Sequence, residues 1–193
     1  MDWFLALLAG YVIGSIPFGL LLAAAAGKGD IRAIGSGNIG ATNVLRTGSK
    51  GLAAAVLLLD LGKGFLAVWL AWRWWPAAAP LAALGAVIGH CFPLWLKFKG
   101  GKGVATTAGV CFGLGWPVGL AYGAVWLLVL AVARISSLAG MSAVVAAPIA
   151  AAALGRMELV PVLAAIAAVV VWLHRANIGR LRAGSEPRLG RRT

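Results

Sequence analysis

Acidic residues are almost missing from this 193-residue chain. There are five, Asp2, Asp30, Asp60, Glu158 and Glu186, and no two are adjacent. A carboxylate-rich Mg²⁺ cage or a two-metal site is hard to assemble from such a set. The sequence therefore points to no metal and no cofactor, and activity is expected to survive EDTA. Cysteine is equally scarce. Cys91 and Cys111 lie in apolar runs without CxxC spacing, which reads as two buried thiols rather than a disulfide or a zinc site. Charge of any kind is low, at 11%, while apolar residues reach 62%. Soluble domains carry about a quarter charged residues. With a mean hydropathy of +0.94, a water-soluble fold is excluded and a polytopic membrane protein remains.

The charges present are mostly basic. Seventeen Lys and Arg give a net charge of +12. In a soluble chain that balance would suggest nucleic acid. Here the bases must occupy loops, so the expected partners are anionic lipid heads or phosphorylated substrates, not nucleic acid.

A crossing helix needs about 20 mainly apolar residues. Trp3 to Gly27, Gly51 to Trp72, Trp74 to Leu96, Ile135 to Gly155 and Leu159 to His174 each fit. The first reads as an uncleaved anchor, since its charges follow it. Thirty-one uncharged residues separate Lys102 from Arg134, with Trp116-Pro117 near their middle. Taken as two short spans, they give seven in all. One face then holds Lys28, Arg32, Arg46, Lys50, Lys97, Lys99, Lys102, Arg134, Arg175, Arg180, Arg182, Arg188, Arg191 and Arg192, against Arg73 and Arg156 on the other. Taken as one span, they divide the bases evenly. The positive-inside bias selects seven spans, with the N-terminus outside and the C-terminus cytoplasmic. The expected fold is a single all-α integral-membrane domain over residues 1–193. Within it, Asp60 and Lys63 are expected to pair in the bundle, and His90 to bond between helices.

Three stretches on the basic face can carry chemistry. Ile31 to Arg46 contains glycines at 35, 37 and 40, the short polar arms Ser36, Asn38, Thr42 and Asn43, and the Arg46 fork. Such a loop can form an anion nest; the competing reading is an ordinary hydrophilic turn. Lys97-Phe-Lys-Gly-Gly-Lys-Gly103 precedes an apolar run, so its amides start a helix, a natural anion site. It is not a Walker A loop, because Gly103 follows Lys102. Lys97 and Lys99 read as membrane anchors. Third, His174-Arg-Ala-Asn-Ile178 places His174 and Asn177 on one helix face if the helix continues.

These stretches, with Gly14-Ser-Ile-Pro-Phe-Gly19, Asp60-Leu-Gly-Lys-Gly64 and Gly89-His-Cys-Phe-Pro93, resemble the bacterial acyl-phosphate-dependent glycerol-3-phosphate acyltransferases of the PlsY family over nearly the whole chain. One departure is Gly140 in Ser137-Leu-Ala-Gly140, where the family pattern leads to a second serine. The resemblance implies a seven-helix fold in the bacterial inner membrane with its site on the cytoplasmic face. It implies transfer of a fatty acyl group from acyl phosphate to the 1-hydroxyl of sn-glycerol 3-phosphate, giving lysophosphatidic acid and phosphate, the first acylation step of phospholipid synthesis. It implies Ser36, Lys102 and His174 as catalytic, and Gly37, Asn38, Thr42, Asn43, Arg46, Gly100, Gly101, Gly103 and Asn177 as substrate-binding. Lys102 and the Gly100–Gly103 amides would hold the acyl-phosphate head; Arg46, His174 and Asn177 would hold glycerol 3-phosphate. Membrane lipid and the enzyme that makes acyl phosphate are the expected contacts.

The hydroxyl proton has two candidate acceptors, His174 and a substrate phosphate whose second pKa is about 6 by analogy with phosphoserine. The phosphate is favoured, because no carboxylate is expected near His174: Glu186 is twelve residues on, and Asp60 lies well up its span. Two other classes remain open on sequence alone. A transporter of a phosphorylated small anion would want polar groups and broken helices at the bilayer midplane. A non-catalytic lipid-binding subunit would need the basic face but not two glycine cradles.

Overall fold

A computed structural model of the chain describes residues 1–190, which contain helices and turns and no strand. Arg191 and Arg192, counted above with the basic face, lie outside the described residues. Ten α-helices follow one another: α1 Asp2–Gly14, α2 Phe18–Ala25, α3 Ala41–Leu45, α4 Lys50–Trp74, α5 Ala79–Cys91, α6 Val104–Leu114, α7 Trp116–Ala133, α8 Ser136–Ala153, α9 Val160–Leu173 and α10 Arg175–Arg182.

Among the described residues, five stretches are long and apolar enough to cross a membrane: Asp2–Ala25, Lys50–Trp74, Pro76–Leu96, Trp116–Ala133 and Ser136–Ala153. Met157–Leu173 with Arg175–Arg182 is a sixth if that pair, bent by 59°, counts as one. The long uncharged stretch is two helices joined at Gly115, with Pro117 in the first turn of α7. There its missing N–H costs nothing. At 11 residues, α6 is only about 16 Å long on a 1.5 Å rise.

Close helix contact depends on glycine. α1 and α5 meet through Gly10 and Gly14 on one side and Gly85 and Gly89 on the other. A Cβ on any of the four would come within 2.0–2.2 Å of a backbone carbonyl of the facing helix. This is small-residue packing at four-residue spacing, which lets backbones approach where lipid gives no hydrophobic drive. α4 and α6 meet similarly at Gly64 and Gly109. The core around them is built from Val68, Val87, Val110, Val144, Leu163 and Ile166.

Pro17 interrupts the first span between α1 and α2. The break leaves the Ile16 carbonyl accessible, and Lys63 Nζ donates to it at 2.7 Å. Lys63 also pairs with Asp60 at 2.6 Å, both side chains buried, as the spacing in the sequence suggests. His90 Nδ1 stands 3.6 Å from the same Asp60 oxygen, too far for the interhelical hydrogen bond expected of it. Both cysteines are free and buried.

Candidate active site

The first polar loop is organised from within by Asn43. Its Oδ1 accepts from Ser36 N at 3.0 Å and Ser36 Oγ at 3.3 Å. Its Nδ2 donates to the carbonyls of Ile31 at 2.7 Å and Ile34 at 3.2 Å. Asn38 Oδ1 closes a local turn by accepting from Gly40 N at 2.9 Å, the Asx arrangement. Gly35 has φ +56°, and a Cβ there would lie 2.5 Å from Asn43 Oδ1 and 2.7 Å from Arg46 Nη1. Only glycine lets Arg46 fold over the loop in this way.

The second loop is moulded on the end of α5. Gly100 N donates to the Cys91 carbonyl and Gly101 N to the His90 carbonyl, each at 3.0 Å. A Cβ on Gly101 would come within 2.0 Å of His90 Nε2, so the imidazole backs the loop directly. Gly103, at φ +83°, caps the start of α6. Lys102 Nζ donates to Asn177 Oδ1.

The third piece is the bend between α9 and α10. His174 ends α9 and caps α10, and its ring nitrogen Nδ1 lies 2.7 Å from the Val170 carbonyl. A carbonyl only accepts, so Nδ1 carries the proton and the neutral ring has its lone pair on Nε2. His174 and Asn177 are only 3% and 6% exposed.

One cavity of about 1130 Å³ joins these pieces. Of the residues expected at the site, Ser36, Asn38, Thr42, Asn43, Arg46, Lys102, Gly103, His174 and Asn177 line it. Gly37, Gly100 and Gly101 do not. Their amides are engaged by the carbonyls of Ile34, Cys91 and His90, which corrects the expectation that they offer free donors. Asn43 lines the wall, but its amide is fully used in shaping the loop.

The larger surprise is Glu186. Oε1 accepts from Ser137 Oγ and from Asn177 Nδ2, each at 2.6 Å, and Oε2 accepts from Arg180 Nε at 2.6 Å. The tail is held by a further bond, Leu189 N to the Arg134 carbonyl at 2.7 Å. Glu186 therefore lines the cavity, and so does Asp60. The expectation that no carboxylate lies near His174 fails for Glu186, which accepts from Asn177 three residues along α10. The sequence signal for Glu186 was its isolation: a lone acid among Arg180, Arg182 and Arg188 must find a cation. Gly140 also has a local reason, since a Cβ there would sit 2.8 Å from a Val104 methyl.

The electrostatics favour an anion. Burial lowers the pKa of Lys102, and the charges of Arg180, Arg46 and Arg175 lower it further, outweighing Glu186. Burial pushes Glu186 up, but the hydrogen bonds from Ser137, Asn177 and Arg180, with the Arg180 charge, hold it below the usual carboxylate range. Cations thus crowd the polar end of the cavity.

A family model described as "Glycerol-3-phosphate acyltransferase" matches residues 4–184. The chain belongs to this family. A glycerol-3-phosphate acyltransferase of Erythrobacter litoralis is 67% identical over 190 residues, 98% of this chain and 96% of that protein. One from Novosphingobium aromaticivorans is 64% identical over 192 residues, covering 100% and 98%. Among solved structures, the glycerol 3-phosphate form of PlsY, an integral membrane glycerol 3-phosphate acyltransferase, superimposes with a TM-score of 0.93. It is 36% identical and the match covers 98% of this chain and 96% of that one. The lysophosphatidic acid form gives 0.90 at 35% identity with the same coverage. The integral-membrane, all-helical character of the chain agrees with these relatives.

Proposed function

We propose that this protein acylates the 1-hydroxyl of sn-glycerol 3-phosphate with acyl phosphate as donor, giving lysophosphatidic acid and inorganic phosphate. Family membership supports the acceptor and product. The observation that carries the reading is the single cavity that joins a cation-rich polar end to an apolar wall, Leu57, Leu61, Phe112 and Trp126 among its residues. That shape suits two phosphorylated substrates, one with a long chain. The donor is a mixed anhydride, already activated, so alignment and charge screening supply most of what the protein must add.

In this reading the 1-hydroxyl oxygen attacks the acyl carbonyl carbon, the bond from that carbon to the phosphate oxygen breaks, and phosphate leaves with its electron pair. Lys102 and the start of α6 at Gly103 hold the acyl-phosphate head. Arg46, Ser36 and Asn177 hold glycerol 3-phosphate, with Asn38 and Thr42 lining its approach and His174 Nε2 orienting it. The hydroxyl proton passes to a substrate phosphate, since the Glu186 carboxylate is engaged by Ser137, Asn177 and Arg180, and His174 Nδ1 by the Val170 carbonyl rather than by a carboxylate. In this reading the chain crosses seven times, with α6 as the short fourth span and α7 the fifth, and the positive-inside bias makes the basic face, with the site, the cytoplasmic face of the bacterial inner membrane, where the enzyme that makes acyl phosphate can deliver it. Transport of a phosphorylated anion is disfavoured, because the anion-binding groups gather at one end of the cavity.

The test is direct. Purified protein given palmitoyl phosphate and labelled glycerol 3-phosphate should yield labelled lysophosphatidic acid and free phosphate. Labelling only with an acyl thioester would overturn the donor; no labelling with either would overturn the transfer itself.

A further inference from the structure

Behind the Lys102 loop lies a charged group that the transfer reading leaves unused. Asp60, Lys63 and His90 are all buried inside spans. Ionisable side chains are costly there, so three together call for a functional reason. They form a chain of contacts. The Ile16 carbonyl, at the Pro17 break, accepts from Lys63 Nζ at 2.7 Å. Lys63 meets Asp60 Oδ1 at 2.6 Å, and His90 Nδ1 stands 3.6 Å from the same oxygen. Among the described residues Nδ1 has no hydrogen-bond partner, so the Asp60 carboxylate is the anion it faces. That field favours a proton on Nδ1 and turns the opposite edge of the ring towards the loop. A Cβ on Gly101 would lie 2.0 Å from Nε2, 2.8 Å from Cε1 and 3.0 Å from Cδ2. The His90 carbonyl also accepts from Gly101 N at 3.0 Å. His90 therefore fixes Gly101 through both its ring and its backbone, immediately before Lys102.

Asp60 and His90 reach the wall of the substrate cavity, and Lys63 does not. A carboxylate repels a phosphate, so Asp60 is no grip for either substrate. Its effect must pass through another group, and the group it faces is the ring that carries the loop. We infer that Asp60 and His90 are positioning residues for the acyl-phosphate donor: the carboxylate orients the imidazole, and the imidazole sets the loop from which Lys102 reaches the donor phosphate. The inference rests on the transfer reading above. Lys63 holds the carboxylate in place and offsets its charge.

Removing Asp60 alone would strand the buried Lys63 charge and weaken the bundle whatever its other role. The informative variant is Asp60→Leu with Lys63→Met, because apolar replacement of a whole buried ion pair is often neutral for stability. It should keep a melting temperature near wild type while KM for acyl phosphate rises about tenfold. KM for glycerol 3-phosphate should stay within a factor of about two. His90→Phe keeps a ring against Gly101 but has no N–H for Asp60, so it should raise the donor KM as well. Adding the pair replacement to His90→Phe should raise it no further, since both act through one ring. Additive losses, a wild-type donor KM, or equal rises in both KM values overturn the inference. If the pair replacement does not fold, the donor KM of His90→Phe decides in the same way. Hydrogen exchange of the 98–106 backbone gives a readout independent of turnover. It should quicken in the folded variants while residues 31–46 keep their wild-type rate, and unchanged exchange overturns the inference. A wild type inactive with every acyl phosphate, yet with exchange that shifts as stated, overturns the donor and leaves the positioning standing.

Discussion

Asn177 faces two ways: its Oδ1 accepts from Lys102, and its Nδ2 donates to Glu186 Oε1 at 2.6 Å. A residue of α10 thus couples the glycine loop ahead of α6 to the C-terminal tail. Glu186 passes the connection on to Ser137 at the start of α8 and to Arg180. Three segments distant in sequence are tied at the mouth of one cavity by a single amide and a single carboxylate.

Glu186→Ala should loosen that mouth. Hydrogen bonds to a charged group are worth roughly 1.5–3 kcal/mol each when buried. With the carboxylate only partly enclosed, a rise in KM for glycerol 3-phosphate of about tenfold is expected, with a lower melting temperature. Glu186→Gln, which keeps one acceptor, should recover part of both. Because its native pKa is lowered, Glu186 contributes stability that is fully present above its ordinary pKa of 4.5 and lost as pH falls through the lower native value. A thermal melt that is flat with pH across the acid range, or identical in Glu186→Ala, would contradict this.

Lys102 and Lys97 should differ sharply. Lys102 is half-buried and bonded to Asn177, while Lys97 is exposed at the end of a short turn. Lys102→Ala should cost about one to two decades in kcat/KM, the worth of a charge-assisted bond felt in the transition state. Lys97→Ala should stay within a factor of about two. Equal losses measured at both positions would reduce Lys102 to an anchoring charge.

The lowered pKa of Lys102 has a kinetic consequence. Its positive charge is lost at a pH below the ordinary lysine value of 10.5. Affinity for the anionic donor should therefore begin to fall on the alkaline side before that value is reached. In Lys102→Arg the guanidinium stays charged, so the alkaline limb should move upward. A KM profile that is the same in wild type and Lys102→Arg would refute the assignment.

At His174 the bond from Nδ1 to Val170 leaves Nε2 as the atom available to substrate. Asparagine can keep the first nitrogen's position but not the second. His174→Asn should hold its melting temperature close to wild type while kcat drops by about tenfold, the worth of one orienting hydrogen bond. Substantial activity with an unchanged pH profile would show that Nε2 is dispensable. Loss of folding would show that the ring serves mainly to shape the bend between α9 and α10.

Membrane orientation is testable by single-cysteine labelling in intact cells. Arg156→Cys should react with an impermeant thiol reagent from outside, and Arg182→Cys should not. Arg156 makes only an exposed pair with Glu158 at 2.6 Å, which is worth little, so the substitution should be tolerated. The reverse labelling pattern would invert the topology.

The sequence by itself determined the membrane-embedded, helical class, because apolar run length and the scarcity of charge act locally and need no partner. It determined the break within the 103–133 stretch, since proline and glycine act on their own backbone, whereas the break at Pro17 inside Trp3 to Gly27 emerged only in the structure. It also collected Ser36, Arg46, Lys102, His174 and Asn177 as candidates, because polar residues in so apolar a chain are costly. Tertiary structure alone decided which of these have free groups. The Asn43 amide, and the backbone amides of Gly37, Gly100 and Gly101, are spent inside the protein by carbonyls and amides brought near only by folding. It alone carried Glu186 from the tail into the site, since an acid seeks the nearest cation in space rather than in sequence. And it alone joined these polar groups in one cavity with apolar residues of α4, α6 and α7, because helix packing is what brings those helices together.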